Sequence, residues 1–497
     1  MNTATVAPRA QTLTALEKLG YSVGDLAANL IFQTLLTFIA FFYTDVYHIP
    51  ANTAATIIFA GGLAGACFNP IMGLIADRTH TRWGKFRPWI LWTALPFGAI
   101  SILAFSTPDL GPDGKVIYAA LTYVLLMLIY SANNLPYSAL SGVLTGSMAD
   151  RNSLSAYRFV AVMVAQFIIQ VLLLPLVFIL GGGDRMAGFR NTMILFALAG
   201  TLLFFITFLS TRERIVPDAA HKSSIRQDLA DLFANRPWLV MLTLTILVFV
   251  TLALKGGMTI YYFKHYLSAP HLAAFLGEVG FLRFIDSLNA LLTSVGLATF
   301  HWPDDAPTSG FSLFNAGGII CMIVGIGFSK RLADRFGKRD VFGVALLIST
   351  LFMLAFYLFP PSAIGAVFGA QLAHGFFYGI TIPLLWAMIA DVADYSEWKN
   401  RRRATALLFS AMIFGLKAGL AIGGALVAAI LSHYGYDAAM ARQPERVVDG
   451  IRLAVSLYAS LPFLLGLGCL WYYEINRAVE RTIETELGSR RLAYSTH

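Results

Sequence analysis

Charge is scarce in this sequence: 13% of its 497 residues are Asp, Glu, Lys or Arg, against 57% hydrophobic. With a mean hydropathy of +0.67, the chain has too little polar surface to dissolve as a globule. Cysteine is sparse too. Cys67, Cys321 and Cys469 all fall inside apolar segments, so neither a disulfide framework nor a metal cluster can be read. There is no HExxH zinc motif and no GxxxxGK[ST] nucleotide loop, and no Ser-His-Asp set can be assembled, so catalysis is not expected. The first twenty residues lack a charged start followed by an apolar core, and the first membrane helix is expected to direct insertion itself.

What the chain does have is long apolar runs separated by short basic loops. At about 20 apolar residues per span, the sequence predicts helices near 23–46, 53–75, 88–106, 117–142, 157–181, 192–210, 239–266, 311–329, 341–359, 363–390, 404–433 and 453–473. That is an all-α membrane protein of twelve transmembrane helices. The net charge of +8 lies in the loops, as orientation in a bilayer requires, so the partner is lipid and nucleic acid is not expected. Arg78, Arg82, Lys85 and Arg87, then Arg212 and Arg214, then Lys330 to Arg339, then Lys399 to Arg403 fall on one side. The positive-inside rule makes that side cytoplasmic and puts both termini there.

A charged loop occurs twice, as DRTHTRWGKFRPW at 77–89 and in shortened form as DRFGKR at 334–339. Repetition about half a chain apart means two homologous six-helix halves, the architecture of a transporter. The expected organisation is a first half over 1–210, a cytoplasmic linker at 211–238, a second half over 239–473 and a cytoplasmic tail at 474–497. Residues 268–309 form an extracytoplasmic insertion. It carries Glu278, Arg283 and Asp286 among apolar residues, so it reads as an interfacial amphipathic helix or hairpin, capping an external vestibule or serving as an insertion without a transport role.

Ionisable and amide groups inside spans are costly in lipid, so each is a candidate functional group. Asp25 and Asn29 lie one turn apart on one face of the first helix. Tyr130, Asn133 and Asn134 follow on the fourth, Arg158 on the fifth, Lys255 on the seventh, Trp386 on the tenth and Lys417 on the eleventh. This inventory of donors, acceptors and an aromatic platform suits a polyhydroxylated ligand such as a sugar. Plainer roles exist: Asp25 as a charge favoured by the helix dipole, Asn29 and Asn134 as cross-helix bonds, Arg158 as a snorkelling anchor, Trp386 as packing.

In the loops, Asp77 beside Arg78, Arg82, Lys85 and Arg87, and Asp334 beside Arg335, Lys338 and Arg339, can bridge cytoplasmic helix ends through carboxylate–guanidinium pairs. Asp391, Asp394 and Glu397 occupy the matching place between the tenth and eleventh helices. These groups are expected to gate alternating access, although the cations also serve orientation.

The blocks YSVGDLAANLIF at 21–32, NPIMGLIADRTHTRWGKFRPWIL at 69–91, NNLPYSAL at 133–140, IYYFKHY at 260–266 and IADVADYSEWK at 389–399 resemble the glycoside-pentoside-hexuronide:cation symporters, the melibiose-carrier branch of the major facilitator superfamily. The resemblance spans nearly all twelve helices. It implies a major facilitator fold and uptake of a glycoside or oligosaccharide with a cation, with no cofactor beyond co-transported H+ or Na+. By position, Asn29 resembles the sugar-gripping carboxylate of the first helix, Arg158 the sugar-binding arginine, Tyr130 an aromatic of the fourth helix, and Lys417 the lysine near the cation site. The three aspartates of the sodium-coupled melibiose carrier are replaced by Gly65, Asn69 and Asn134. Coupling is then expected through Asp25 as a protonatable group, or through sodium held by Asn69 and Asn134 oxygens. A uniporter of sugars or a carrier of an amphiphile such as a lysolipid is the alternative. A monomer in a plasma membrane or bacterial inner membrane is expected.

Overall fold

The computed structural model describes residues 13–145, 148–214, 235–294, 305–400, 405–440, 442–483 and 485–486, with a few side chains, among them that of Asp77, left out. The Asp77 carboxylate, Arg401 to Arg403, most of the linker, residues 295–304 of the insertion and the end of the tail therefore lie outside the described residues.

The described elements are helical, with one isolated two-residue bridge between Thr81 and Gly84. In chain order they are α1 (Ala15–Phe41), α2 (Ala51–Arg78), α3 (Arg87–Ala104), α4 (Pro112–Leu144), α5 (Met148–Phe167), α6 (Leu173–Gly181), α7 (Arg185–Ser210), α8 (Arg236–Tyr261), α9 (Ala269–Glu278), α10 (Phe281–Ser294), α11 (Ala306–Phe336), α12 (Lys338–Ala355), α13 (Ile364–Asn400), α14 (Thr405–Tyr434), α15 (Glu445–Leu453) and α16 (Ala459–Leu470). Single π turns extend α1 over Phe42–Val46 and α8 over Tyr262–Tyr266, and join α5 to α6 and α15 to α16. Such turns shift side-chain register within an otherwise continuous helix and recur at functional positions.

Among the described residues, eleven helical stretches are long and apolar enough to cross a membrane, one fewer than the sequence predicts. The exception is α12. It is 18 residues long and opens on Lys338, Arg339 and Asp340, so its uncharged part falls short of a full span. Several boundaries also move. The first helix starts at Ala15 rather than near 23, because Thr14 and Glu17 form a reciprocal capping box: Thr14 N donates to Glu17 Oε2 at 3.0 Å and Glu17 N to Thr14 Oγ1 at 3.2 Å. At the other end of the chain α13 runs on to Asn400, so Asp391, Asp394 and Glu397 are helical rather than loop residues. Their spacing of three places them along one helix face.

The chain divides into two compact units. One holds the described residues up to Leu35 together with those from Leu63 to the linker; the other holds Leu36–Gly62 and everything after the linker. In the first, α3 packs on both α4 and α7. In the second, α11 and α12 pack on α13, and α14 packs on α8. The last contact is close because Gly419 and Gly423 face α8: a Cβ on either would lie 2.5 Å from the carbonyl oxygen of Ile246 or Val250. Small residues at helix crossings bring backbones together where lipid supplies no hydrophobic drive. The described part of the segment 268–309 forms two consecutive helices, α9 and α10, of which α9 packs on α11 and α13 while Phe284 and Leu291 of α10 stay exposed.

Candidate functional site

In the first unit, Asp25 and Arg158 meet. Arg158 Nε donates to Asp25 Oδ2 at 2.8 Å, and Asn29 Nδ2 donates to Asp25 Oδ1 at 3.2 Å and to the Asp25 carbonyl at 2.8 Å. Asp25 is buried and Arg158 keeps 28% of its side-chain surface. Two tyrosines support the guanidinium. Tyr21 of α1 and Tyr137 of α4 stack with centroids 4.6 Å apart, each donating its hydroxyl to the other's carbonyl oxygen, at 2.9 and 2.8 Å. Arg158 lies 5.7 Å from the Tyr21 ring and 5.3 Å from the Tyr137 ring, within cation–π range. Neither tyrosine was expected at the site. Tyr130 is buried on the same helix as Tyr137 and stacks on Phe32 of α1 at 4.7 Å.

The arrangement separates two roles that the sequence left open. The carboxylate beside Arg158 belongs to Asp25, and Asn29, the position matched by resemblance to a carboxylate, orients it. Asp25 and Arg158 are paired with each other across α1 and α5. Asn133 is different: it is fully buried, and its Nδ2 donates to Thr93 Oγ1 of α3 at 2.8 Å, which is helix-to-helix bonding. Asn69 of α2 and Asn134 of α4 are half-buried in the first unit, where Ser131 Oγ also donates to the Gly65 carbonyl at 3.2 Å. Trp386 on α13, 39% exposed, and the half-buried Lys417 on α14 belong to the second unit.

The basic loop at 77–89 is organised around a residue that the sequence did not single out. The Glu213 carboxylate accepts from the backbone N–H groups of Lys85, Phe86 and Arg87 at 2.8, 2.7 and 2.9 Å, placing a negative charge at the start of α3, where the helix dipole favours one. Gly84 makes this possible. Its φ is +110°, and a Cβ there would sit 2.4 Å from Glu213 Cδ. Arg87 donates to the carbonyls of Trp83 and Phe208, at 3.3 and 2.6 Å, and lies over the Phe208 ring. Lys85 lies by the Phe86 ring, Arg82 by Trp83, and Arg78 is exposed.

In the second unit the repeated loop binds the tail. Lys338 donates to both Asp391 oxygens, at 2.7 and 2.8 Å, and pairs with Glu480. Burial pulls the Lys338 ammonium down, but the two carboxylates more than offset it and hold the group above the usual lysine range. Arg477 donates to the carbonyls of Arg335 and Asp334 at 2.7 and 2.8 Å. The Asp334 and Arg335 side chains are exposed, Arg339 lines a small cavity with Lys338, Asp391 and Glu480, and Asp394 and Glu397 are half-buried on α13.

A further charged cluster escaped the sequence reading. Asp45, in the π turn after α1, is buried and pairs with Lys264 in the π turn after α8. It also accepts from Tyr436 Oη at 2.6 Å and Thr44 Oγ1 at 2.8 Å, and Thr44 shares a 2.8 Å hydrogen bond with Tyr261 Oη. All five residues belong to the second unit.

Known proteins are similar to this chain over almost its whole length. It is 33% identical over 486 residues to the inner membrane symporter YicJ of Escherichia coli, covering 97% of each chain. It is 30% identical over 470 residues to the isoprimeverose transporter of Lactiplantibacillus pentosus, covering 93% of this chain and 89% of that one. Among solved structures it resembles the nucleoside transporter NupG, with a TM-score of 0.54 at 12% identity over 93% of this chain and 100% of that one. A bacterial homolog of the human lysosomal transporter Spinster gives a TM-score of 0.60 at 13% identity, over 92% of this chain and 95% of that one. At such identities these two matches establish the transporter fold alone. The family model described as MFS/sugar transport protein matches residues 20–299 and 307–477, and the chain belongs to that family of membrane transporters.

Proposed function

We propose that this protein takes up a glycoside or oligosaccharide by symport with a cation, through alternating access. The observation that carries this reading is the Asp25–Arg158 pair, braced by Asn29 and two stacked tyrosines. A buried carboxylate that accepts and a guanidinium that donates, beside aromatic rings, offer what a polyhydroxylated ring needs for orientation. Asp25, Asn29, Tyr130 and Arg158 of the first unit are its ligands in this proposal, with Asn134 of the same unit as a further contact, whereas Asn133 holds α4 to α3. The names of the relatives, a symporter and an isoprimeverose transporter, support the same class. The basic loops and the Lys338–Asp391–Glu480 cluster act on the cytoplasmic side, where both termini lie, in a bacterial inner membrane. A monomer is the working unit in this proposal.

The test is uptake by proteoliposomes of radiolabelled methyl xylosides, glucosides, galactosides and glucuronides under a proton gradient, a sodium gradient or neither. Accumulation under one gradient, lost in Arg158→Gln, is the expected result. Equilibration without accumulation would make the protein a uniporter, and no glycoside movement at all would overturn the reading in favour of an amphiphile.

A further inference from the structure

Among the described residues, Lys255 is a charged residue with no charged partner. It lies within the membrane-crossing stretch Arg236–Tyr266 and is 8% exposed. Its Nζ donates to Gln371 Oε1 at 2.8 Å and stands 5.8 Å from the Phe356 ring; among the described residues it makes no ion pair. The pocket is built to this shape. Gly318 of α11 leaves room for the Gln371 amide, since a Cβ there would lie 2.5 Å from Gln371 Nε2.

An ammonium brings three donors and a full charge, and here it meets one amide oxygen and one ring face. A buried cation normally has a carboxylate or several acceptors, because lipid-facing protein solvates charge poorly. The neutral amine keeps the Gln371 hydrogen bond and leaves no charge uncompensated, so both protonation forms fit the same pocket. Among the described residues, a second titratable group lies nearby. His374, three residues beyond Gln371 on α13, is buried and engages the Ser349 hydroxyl and carbonyl of α12 through Nδ1, at 2.8 and 3.1 Å. Elsewhere on α8, Val427 of α14 lies against Gly257 and the Ala459 carbonyl of α16 accepts from Thr251.

Asp25 is engaged by Arg158 and Asn29, and Gly65, Asn69 and Asn134 cannot titrate. We infer that Lys255, held by Gln371 in the second unit, is the group that takes up and releases the co-transported proton. This rests on the symport reading and narrows its cation to H+.

The experiment uses the full chain in proteoliposomes with an internal pH dye and the same methyl glycosides. Two signals are read: accumulation with glycoside-evoked proton entry, and glycoside counterflow, which needs no net proton movement. Lys255→Gln and Lys255→Arg are both expected to lose accumulation at least about tenfold while counterflow persists, because the amide never binds the proton and the guanidinium never releases it. Wild-type accumulation in either variant overturns the assignment. Loss of counterflow together with accumulation in both also overturns it and makes Lys255 a packing residue. Wild-type uptake driven only by sodium overturns Lys255 and leaves symport standing. A wild-type protein that moves no glycoside overturns the functional reading itself.

Discussion

Tyr436 donates its phenolic hydroxyl to Asp45 Oδ1 at 2.6 Å, the same oxygen that takes the Lys264 ammonium. One carboxylate thereby ties the turn after α1 to the turn after α8 and to the segment following α14. Asp45 has 1% of its side-chain surface exposed and Lys264 29%, so the carboxylate is the costlier member to leave unpaired. Asp45→Ala is expected to destabilise the protein by about 2 kcal/mol, from the lost charge-assisted bonds. Lys264→Met should cost less. In detergent unfolding, the double variant should be less destabilised than the two single losses added, showing a coupling of about 0.5–3 kcal/mol. Strict additivity would mean that the pair does not hold these elements together.

Arg158 engages Asp25 through Nε, leaving other guanidinium donors for a ligand. Lysine offers one compact ammonium and cannot reproduce that fork. Arg158→Lys is therefore expected to raise the glycoside KM by about tenfold or more, the effect of losing roughly 1.5–3 kcal/mol of charge-assisted bonding. Thermal stability should fall much less, since the Tyr21–Tyr137 stack remains. Unchanged KM in a folded variant would remove Arg158 from the site.

Apolar run lengths and the two basic loops made the helical architecture legible, and the one-turn spacing of Asp25 and Asn29 pointed to their shared face. The capping box of Thr14 and Glu17 was also in plain view as T-x-x-E, yet the helix was started too late because hydropathy alone set its boundary. Asp45 and Glu213 were not legible. Asp45 ends an apolar run, where a carboxylate reads as loop, and its partners lie 219 and 391 residues away. Glu213 opens a polar linker, and the groups that it accepts from are backbone N–H groups, which carry no sequence signature. Non-local pairing of this kind becomes visible only once the helices are placed.

Gly84 and Glu213 should behave as a coupled pair. Gly84→Ala places a methyl group against the Glu213 carboxylate and forces alanine into a positive-φ backbone, a strain of order 1–3 kcal/mol. Glu213→Ala removes the acceptor of three N–H groups at the start of α3 and should cost about 1–2 kcal/mol, at the lower end because the site is half-exposed. In the double variant the clash disappears with the carboxylate. Its loss of stability should then be smaller than the sum of the single losses by about 1 kcal/mol; a sum that holds within error would show that the loop rearranges instead.

Asp150 supplies a pH signature at the start of α5. Lys18 Nζ bonds its Oδ1 at 2.9 Å and the Leu13 N–H its Oδ2 at 3.1 Å. The Lys18 hydrogen bond, followed by that of the Leu13 backbone, holds the Asp150 carboxyl below the usual aspartate range. A carboxyl depressed in the folded state binds its proton more readily once unfolded, so stability from this group is present above the unfolded value, near pH 4, and is lost as pH falls through the folded one. The difference in Tm between wild type and Asp150→Asn, measured in detergent, should accordingly stay constant from about pH 8 to about pH 5 and shrink below about pH 4. Lys18→Met should reduce that pH dependence to the smaller part that the Leu13 N–H supplies. A gap that persists unchanged at low pH would mean that Asp150 acts through its shape and neutral hydrogen bonding and not through its charge.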